Sequence, residues 1–259
     1  MKTLSFSTLT LIISLFIAAS IPDSQFKSAG RTYFSPGFAV VELFTYEGCS
    51  SCPSADALIA RIQKENNDKP VYILAFHVDY WNRLGWKDVF SDPVFTKRQR
   101  QYASWLKLSS VYTPQAVING RAEFVGSQET SMRKAITEGL GKKAAATIGL
   151  EHVKATGNQV AFDYQINPTI ANSSLTVALV QKKAESKIRS GENAGRTLSH
   201  VQITRAIQTL ILSGNSRGKT QIAIPQDVKA SELELLVLLQ NNQNGAIIAA
   251  NKALLESHI

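Results

Sequence analysis

The sequence predicts an α+β protein in two parts: a βαβ unit closed by a ββα unit, then a long run of short strands. Three observations lead there. Up to residue 143, apolar runs alternate with segments whose apolar residues recur at helical spacing. From residue 144 onward that spacing stops, and β-like runs separated by turn residues take over. The chain's only two cysteines, Cys49 and Cys52, stand where the first apolar run gives way to the first helical segment.

The elements follow in order. FAVVELFT (38–45) is a continuous apolar, β-branched run, the pattern of a strand buried on both faces. PSADALIARIQKEN (53–66) carries Ala57, Leu58, Ala60 and Ile62 at helical spacing. Pro53 fits its first turn, where a missing N–H costs nothing. VYILAFHV (71–78) is a second buried-type strand. DYWNRLGWKDVFSDP (79–93) is irregular and aromatic, and VFTKRQRQYASWLKL (94–108) reads as a helix. QAVI and AEFVG flank Asn119-Gly120, the signature of a two-residue hairpin turn. SQETSMRKAITEGLGKK (127–143) closes the part as a helix, with Ser127 or Ser131 as its expected cap and Gly141 as its stop.

A parallel βαβ start with an antiparallel ββα finish is the thioredoxin-like order, here with a helical insertion, over residues 37–143. Residues 144–259 hold seven or eight short strands, which suggests an antiparallel β-sandwich-like second domain.

Residues 1–20 carry an address. Lys2 is the only charge before Asp23, LTLIISLFIAA is strongly apolar, and Ala18, Ala19 and Ser20 supply small residues after it. This is the layout of a cleaved secretory signal peptide, too short for a comfortable membrane span. It predicts an exported protein, periplasmic or secreted, with no stable span after cleavage. Residues 21–36 form an irregular lead-in.

Composition narrows the function. Apolar residues make up 44% of the 259, enough for a substantial core, and the net charge is +8. The basic residues are dispersed and the densest run, KRQR at 97–100, accompanies no nucleic-acid motif, so no nucleic-acid partner is expected. Outside the cytosol a thiol pair can be oxidised and stay so. One short-range pair closes too small a loop to be an efficient staple, so the pair points to exchange chemistry.

That chemistry has a physical logic. A helix N-terminus offers unpaired N–H groups and a partial positive charge, which stabilise a thiolate. Cys49 is then the nucleophile and Cys52 the resolving thiol, with Ser50 and Ser51 lining the approach. Thr113-Pro114, just before a strand, is placed to be the cis-proline element that faces the cysteines and receives substrate backbone. The plainer reading is an ordinary trans proline. Glu42, a lone acid in an apolar strand seven residues before Cys49, is a candidate buried proton carrier for Cys52. His77, at the end of the second strand, could join Cys49 and Cys52 in holding Cu(I) or Zn(II). Alternatively His77 anchors the aromatic loop through a hydrogen bond. Tyr80, Trp81 and Trp86 could wall the site or merely pack beneath that loop.

The segments VVELFTYEGCSSCPSAD, FHVDYWNRLGWKDVFSDPVFTKRQRQYA, VYTPQAVINGR and GENAGRTLSH (191–200) resemble a family of secreted, largely uncharacterised bacterial proteins defined as a thioredoxin-like domain of unknown function. The resemblance runs from about residue 38 to the C-terminus. It implies a thioredoxin-like first half and a β-rich second half, without an assigned activity. Glu192, Asn193 and Arg196 concentrate polar groups on a glycine-rich loop that thioredoxins lack, a candidate binding surface or a self-bonded turn.

The function expected is an exported thiol–disulfide oxidoreductase acting on protein or small-molecule thiols and disulfides, with no organic cofactor. The alternatives are a metal-binding protein using Cys49, Cys52 and His77, and an interaction protein with a static disulfide.

Overall fold

The structure is a computed structural model that describes residues 36–255. The expected leader at 1–20 and nearly all of the lead-in lie outside the described residues.

The first half holds the expected elements in the expected order. They are β1 (Ala39–Thr45), α1 (Cys52–Glu65), β2 (Val71–His77), α2 (Pro93–Leu106), β3 (Gln115–Ile118), β4 (Ala122–Val125) and α3 (Glu129–Gly141). A single 3-10 turn at Asn82–Leu84 interrupts the aromatic loop. Asn119 and Gly120 both have positive φ, 50° and 64°, as the two-residue hairpin requires. One local expectation fails: α3 is preceded by Gln128 with no side-chain cap, so neither Ser127 nor Ser131 closes its N-terminus. Glu129 in the first turn supplies favourable charge there instead.

The second half contributes β5 (Thr147–Thr156), β6 (Gln159–Asn167), β7 (Ser173–Lys187), β8 (Thr197–Ile211), β9 (Arg217–Ala223), β10 (Leu233–Asn241) and β11 (Ile247–Leu254). They do not assemble as a separate sandwich. Four of them continue the first half's sheet, giving one eight-stranded mixed sheet in the order β11-β10-β7-β8-β2-β1-β3-β4. β5, β6 and β9 form a second, three-stranded antiparallel sheet. The junction is β2, which pairs in parallel with β1 on one edge and meets β8 at Ala75↔Ile203 on the other. A strand buried along its length needs backbone partners on both edges. Sequence periodicity reports that burial but not which strand supplies the partner.

Alternation along the strands sorts the cores. Val40 and Phe44 of β1 pack with Phe95 and Tyr102 of α2, and in the same core with Val180 of β7 and Leu236 and Leu238 of β10. Val41 and Leu43 point the other way, to Leu58, Ile59 and Ile62 of α1 and Met132 and Ile136 of α3. The three-stranded sheet places Ile148, Val160, Phe162 and Ile222 on Leu175, Val177, Leu235 and Val237. The α2 face of the large sheet therefore carries one core that spans both halves of the chain. Among the described residues, no helix is long and apolar enough to cross a membrane.

Candidate functional site

β1 ends at Thr45, and the chain turns through Tyr46–Ser51 into α1 with Pro53 in the first turn. Cys52 is the first helical residue and fully buried, while Cys49 is half-buried in the turn before it. Both are free thiols. Ser51 precedes α1 without a side-chain cap, so the helix N-terminus is left to the sulfur and to the loop.

The two thiols are pushed apart. The Cys52 thiol bonds the Cys49 sulfur and lowers its pKa from near 9 to about 6; Ser51 adds to this, against a burial that works the other way. Ser51 Oγ lies 3.3 Å from Cys49 Sγ. Burial is the main cause that raises Cys52 well above the usual thiol range, and the charges of Cys49 and Asp56 add to it. At pH 7 a thiol of pKa about 6 is roughly nine-tenths thiolate, whereas Cys52 keeps its proton.

The Thr113–Pro114 bond is cis, and the Thr113 carbonyl lies 3.8 Å from Cys49 Sγ. α2 holds this segment: Gln99 Nε2 donates to the Tyr112 carbonyl and to Gln115 Oε1, each at 2.8 Å. Trp81 Nε1 donates to Thr113 Oγ1 at 3.1 Å. Tyr80, Trp81 and Trp86 pack in the same core as Cys49. Burial, with smaller contributions from both cysteines, lifts Tyr80 to about 12, so it stays neutral beside the thiols.

The loop between β7 and β8 reaches across to this turn. Asn193 is buried and its Nδ2 donates to the carbonyls of Glu47, at 2.7 Å, and Cys49, at 2.9 Å. Arg196 holds Asn193 Oδ1 at 2.7 Å. Glu192 Oε2 accepts from the Ser50 N–H at 2.7 Å. Gly191, at φ 81°, brings its backbone against Gly48, where a Cβ would stand 3.8 Å from the Gly48 Cα. The glycine-rich loop therefore binds the cysteine turn, and Ser50 uses its backbone donor on Glu192.

Beneath Cys52 lies a buried polar group absent from the sequence reading. Asp56, one helical turn after Cys52, accepts from Thr45 Oγ1 at 3.0 Å. His200 of β8 sits between Asp56 and Glu47, with Nδ1 3.5 Å from Asp56 Oδ2 and Nε2 3.4 Å from Glu47 Oε1. These are ion-pair contacts; neither imidazole nitrogen makes an aligned hydrogen bond. Burial opposes charge on His200, but Asp56 and Glu47 outweigh it and raise its pKa from 6.5 to about 9. Trp86 Nε1 donates to Glu47 Oε2 at 2.8 Å.

Two sequence expectations are corrected here. Glu42 is buried, but on the α2 face, away from α1. Its carboxylate takes Arg98 Nε at 2.5 Å and Nη2 at 2.9 Å, and the Tyr102 hydroxyl at 2.5 Å. The carboxylate near Cys52 is Asp56. His77 turns to another partner: its Nδ1 is bonded to Asp88 Oδ2 at 2.7 Å, and its ring packs on His200 at 4.9 Å. Among the described residues, no group of three His, Cys, Asp or Glu side chains is arranged to hold a metal ion. His77 thus anchors the aromatic loop. The signal for Asp56 was its four-residue spacing from Cys52 on a helix. Nothing local marked His200, whose place depends on β8 meeting β2.

A family model described as a protein of unknown function (DUF1223) matches residues 40–240. The chain belongs to this family. Both the cysteine turn and the loop at 191–196 fall inside the matched segment. A crystal structure of a protein from Agrobacterium tumefaciens is similar to this chain: 29% identity, TM-score 0.64, covering 85% of this chain and 95% of that one. HBP35 of Porphyromonas gingivalis shares the fold at 14% identity and TM-score 0.58, covering 85% of this chain and 76% of its own. No curated protein matches the chain.

Proposed function

We propose that this protein is a thioredoxin-like thiol–disulfide oxidoreductase that works outside the cytosol. One observation carries the reading: two thiols in one turn, the outer one lowered to about 6 and set against the Thr113 carbonyl, the inner one raised. The order βαβ then ββα, with the cysteine pair at the first strand-to-helix junction, supports the thioredoxin-like assignment.

The Cys49 thiolate attacks one sulfur of a substrate disulfide; that S–S bond breaks and one substrate sulfur leaves as a thiolate. Cys52 loses its proton and attacks Cys49, releasing the second substrate thiol and leaving the Cys49–Cys52 disulfide. The substrate disulfide is reduced by two electrons and the protein dithiol oxidised; the reverse sequence oxidises substrate dithiols. Thr113 offers its backbone to an extended substrate, and Ser51 steadies the Cys49 thiolate. A stabilised Cys49 thiolate stabilises the reduced protein, which favours the oxidising direction.

Equilibrating the protein with glutathione buffers tests this. A potential between about −270 and −120 mV is expected, toward the less negative end. A potential below about −300 mV marks a structural bridge and sinks the proposal.

A further inference from the structure

The resolving thiol poses a problem that the mechanism leaves open. Cys52 is fully buried and holds its proton at neutral pH, yet it must lose that proton to attack Cys49. A base has to be within reach, and Glu42 is committed to Arg98 and Tyr102 on the other face of the sheet.

We propose that Asp56 takes the proton from Cys52, and that His200, delivered from the second half of the chain, is the positioning residue that faces Asp56 with a positive charge. The proposal rests on the oxidoreductase reading and deepens it. Residues four apart on a helix have Cβ atoms about 5–6 Å apart, a span bridged directly or through one water. Thr45 donates to one oxygen of Asp56, and His200 lies against the other. His200 is 2% exposed and faces Asp56 from α1, Glu47 from the β1–α1 turn, and His77 from β2, with Asp88 behind His77. An imidazolium there balances two buried carboxylates. Each turnover then runs as follows: the Cys52 proton passes to an Asp56 oxygen, the Cys52 sulfur bonds to Cys49, and the substrate sulfur leaves Cys49 with the electron pair of the broken bond. The second half of the chain thus completes the redox site.

The test needs no knowledge of the natural substrate. The reduced full-length mature protein is mixed with the aromatic disulfide DTNB by stopped flow. The first coloured thiolate reports attack by Cys49; the second reports Cys52 resolving the mixed disulfide. Asp56→Asn is expected to slow the second phase by about 100-fold at pH 7 and to leave the first within about twofold. His200→Gln is expected to move the acid limb of the second phase upward by about one pH unit or more, because two buried carboxylates then face each other without a cation. If Asp56→Asn fails to fold, the His200→Gln profile decides. An unchanged second phase in Asp56→Asn, or an unshifted pH profile in His200→Gln, overturns the proposal alone. A wild type that shows no intramolecular second phase overturns the oxidoreductase reading, and this proposal with it.

Discussion

Cys49 and Cys52 differ by one helical turn and by the whole of their surroundings. The outer sulfur has donors around it; the inner one is fully buried with a carboxylate nearby. Alkylation of wild-type protein by iodoacetamide is therefore expected to be half-maximal near pH 6 and confined to Cys49. In Cys49→Ser, Cys52 should resist alkylation at pH 7; mass spectrometry of the labelled protein reads both. His200 makes a second prediction, on stability. Its folded pKa, about 9, exceeds its value of 6.5 when unpaired. Its stabilisation is complete below pH 6.5 and is lost as pH rises through about 9, a change of at most about 3 kcal/mol. Cys49, with a depressed pKa, changes stability in the opposite sense over the same range. The measurement thus belongs in Cys49→Ser/Cys52→Ser, where urea unfolding should show stability falling from pH 6.5 to 9. His200→Gln in that background should abolish the slope.

The β7–β8 hairpin acts as an element with two jobs. Its middle belongs to the large sheet, where Val177 and Leu179 pack against the three-stranded sheet and Val180 against the α2 core. Its tip closes on the cysteine turn through Asn193, whose amide donates to the Glu47 carbonyl and to the Cys49 carbonyl, the latter also accepting from the Cys52 N–H. Asn193→Ala removes both donors and should cost about 1–3 kcal/mol, read by thermal unfolding. Amide exchange at Gly48–Ser51 should quicken in the same variant, because the turn loses its tether while β1 and α1 stay in place. Exchange at those positions that matches wild type would show that the turn holds itself.

Across the whole molecule, the two halves share a sheet, a core and a buried hydrogen-bond network around an ion pair. Arg98 links Glu42 of β1 to Gln240 of β10, and Gln240 also bonds the Tyr102 hydroxyl. Removing one partner of such a pair leaves an uncompensated buried charge, so Glu42→Ala should cost about 3–5 kcal/mol. The two DTNB phases should be unchanged in that variant, since Glu42 faces away from α1. The shared sheet predicts more. Residues 37–143 produced alone lose the partner of β2 and the Val180, Leu236 and Leu238 side of the α2 core. That fragment should show no cooperative thermal transition, while the chain from residue 36 onward should show one.

The sequence by itself determined the elements, the hairpin at Asn119-Gly120 and the cysteine turn ahead of α1. These rest on short-range physics: apolar period, turn conformers and the preference of proline for a first helical turn. It also marked 191–200 as unusual, from glycines and polar groups packed into one loop. What it could not decide was partnership. Glu42 reads as a proton carrier from its spacing to Cys49, but strand alternation turns it toward Arg98. His77 reads as a ligand from its strand end, but Asp88 claims it. A domain boundary near 143 reads plainly from texture, yet β8 meets β2 and one sheet runs through both halves. Sheet neighbours are chosen by long-range pairing, which leaves no local trace in either strand. The tertiary structure alone therefore decided that Glu42 turns away from Cys52 and which histidine stands behind Asp56.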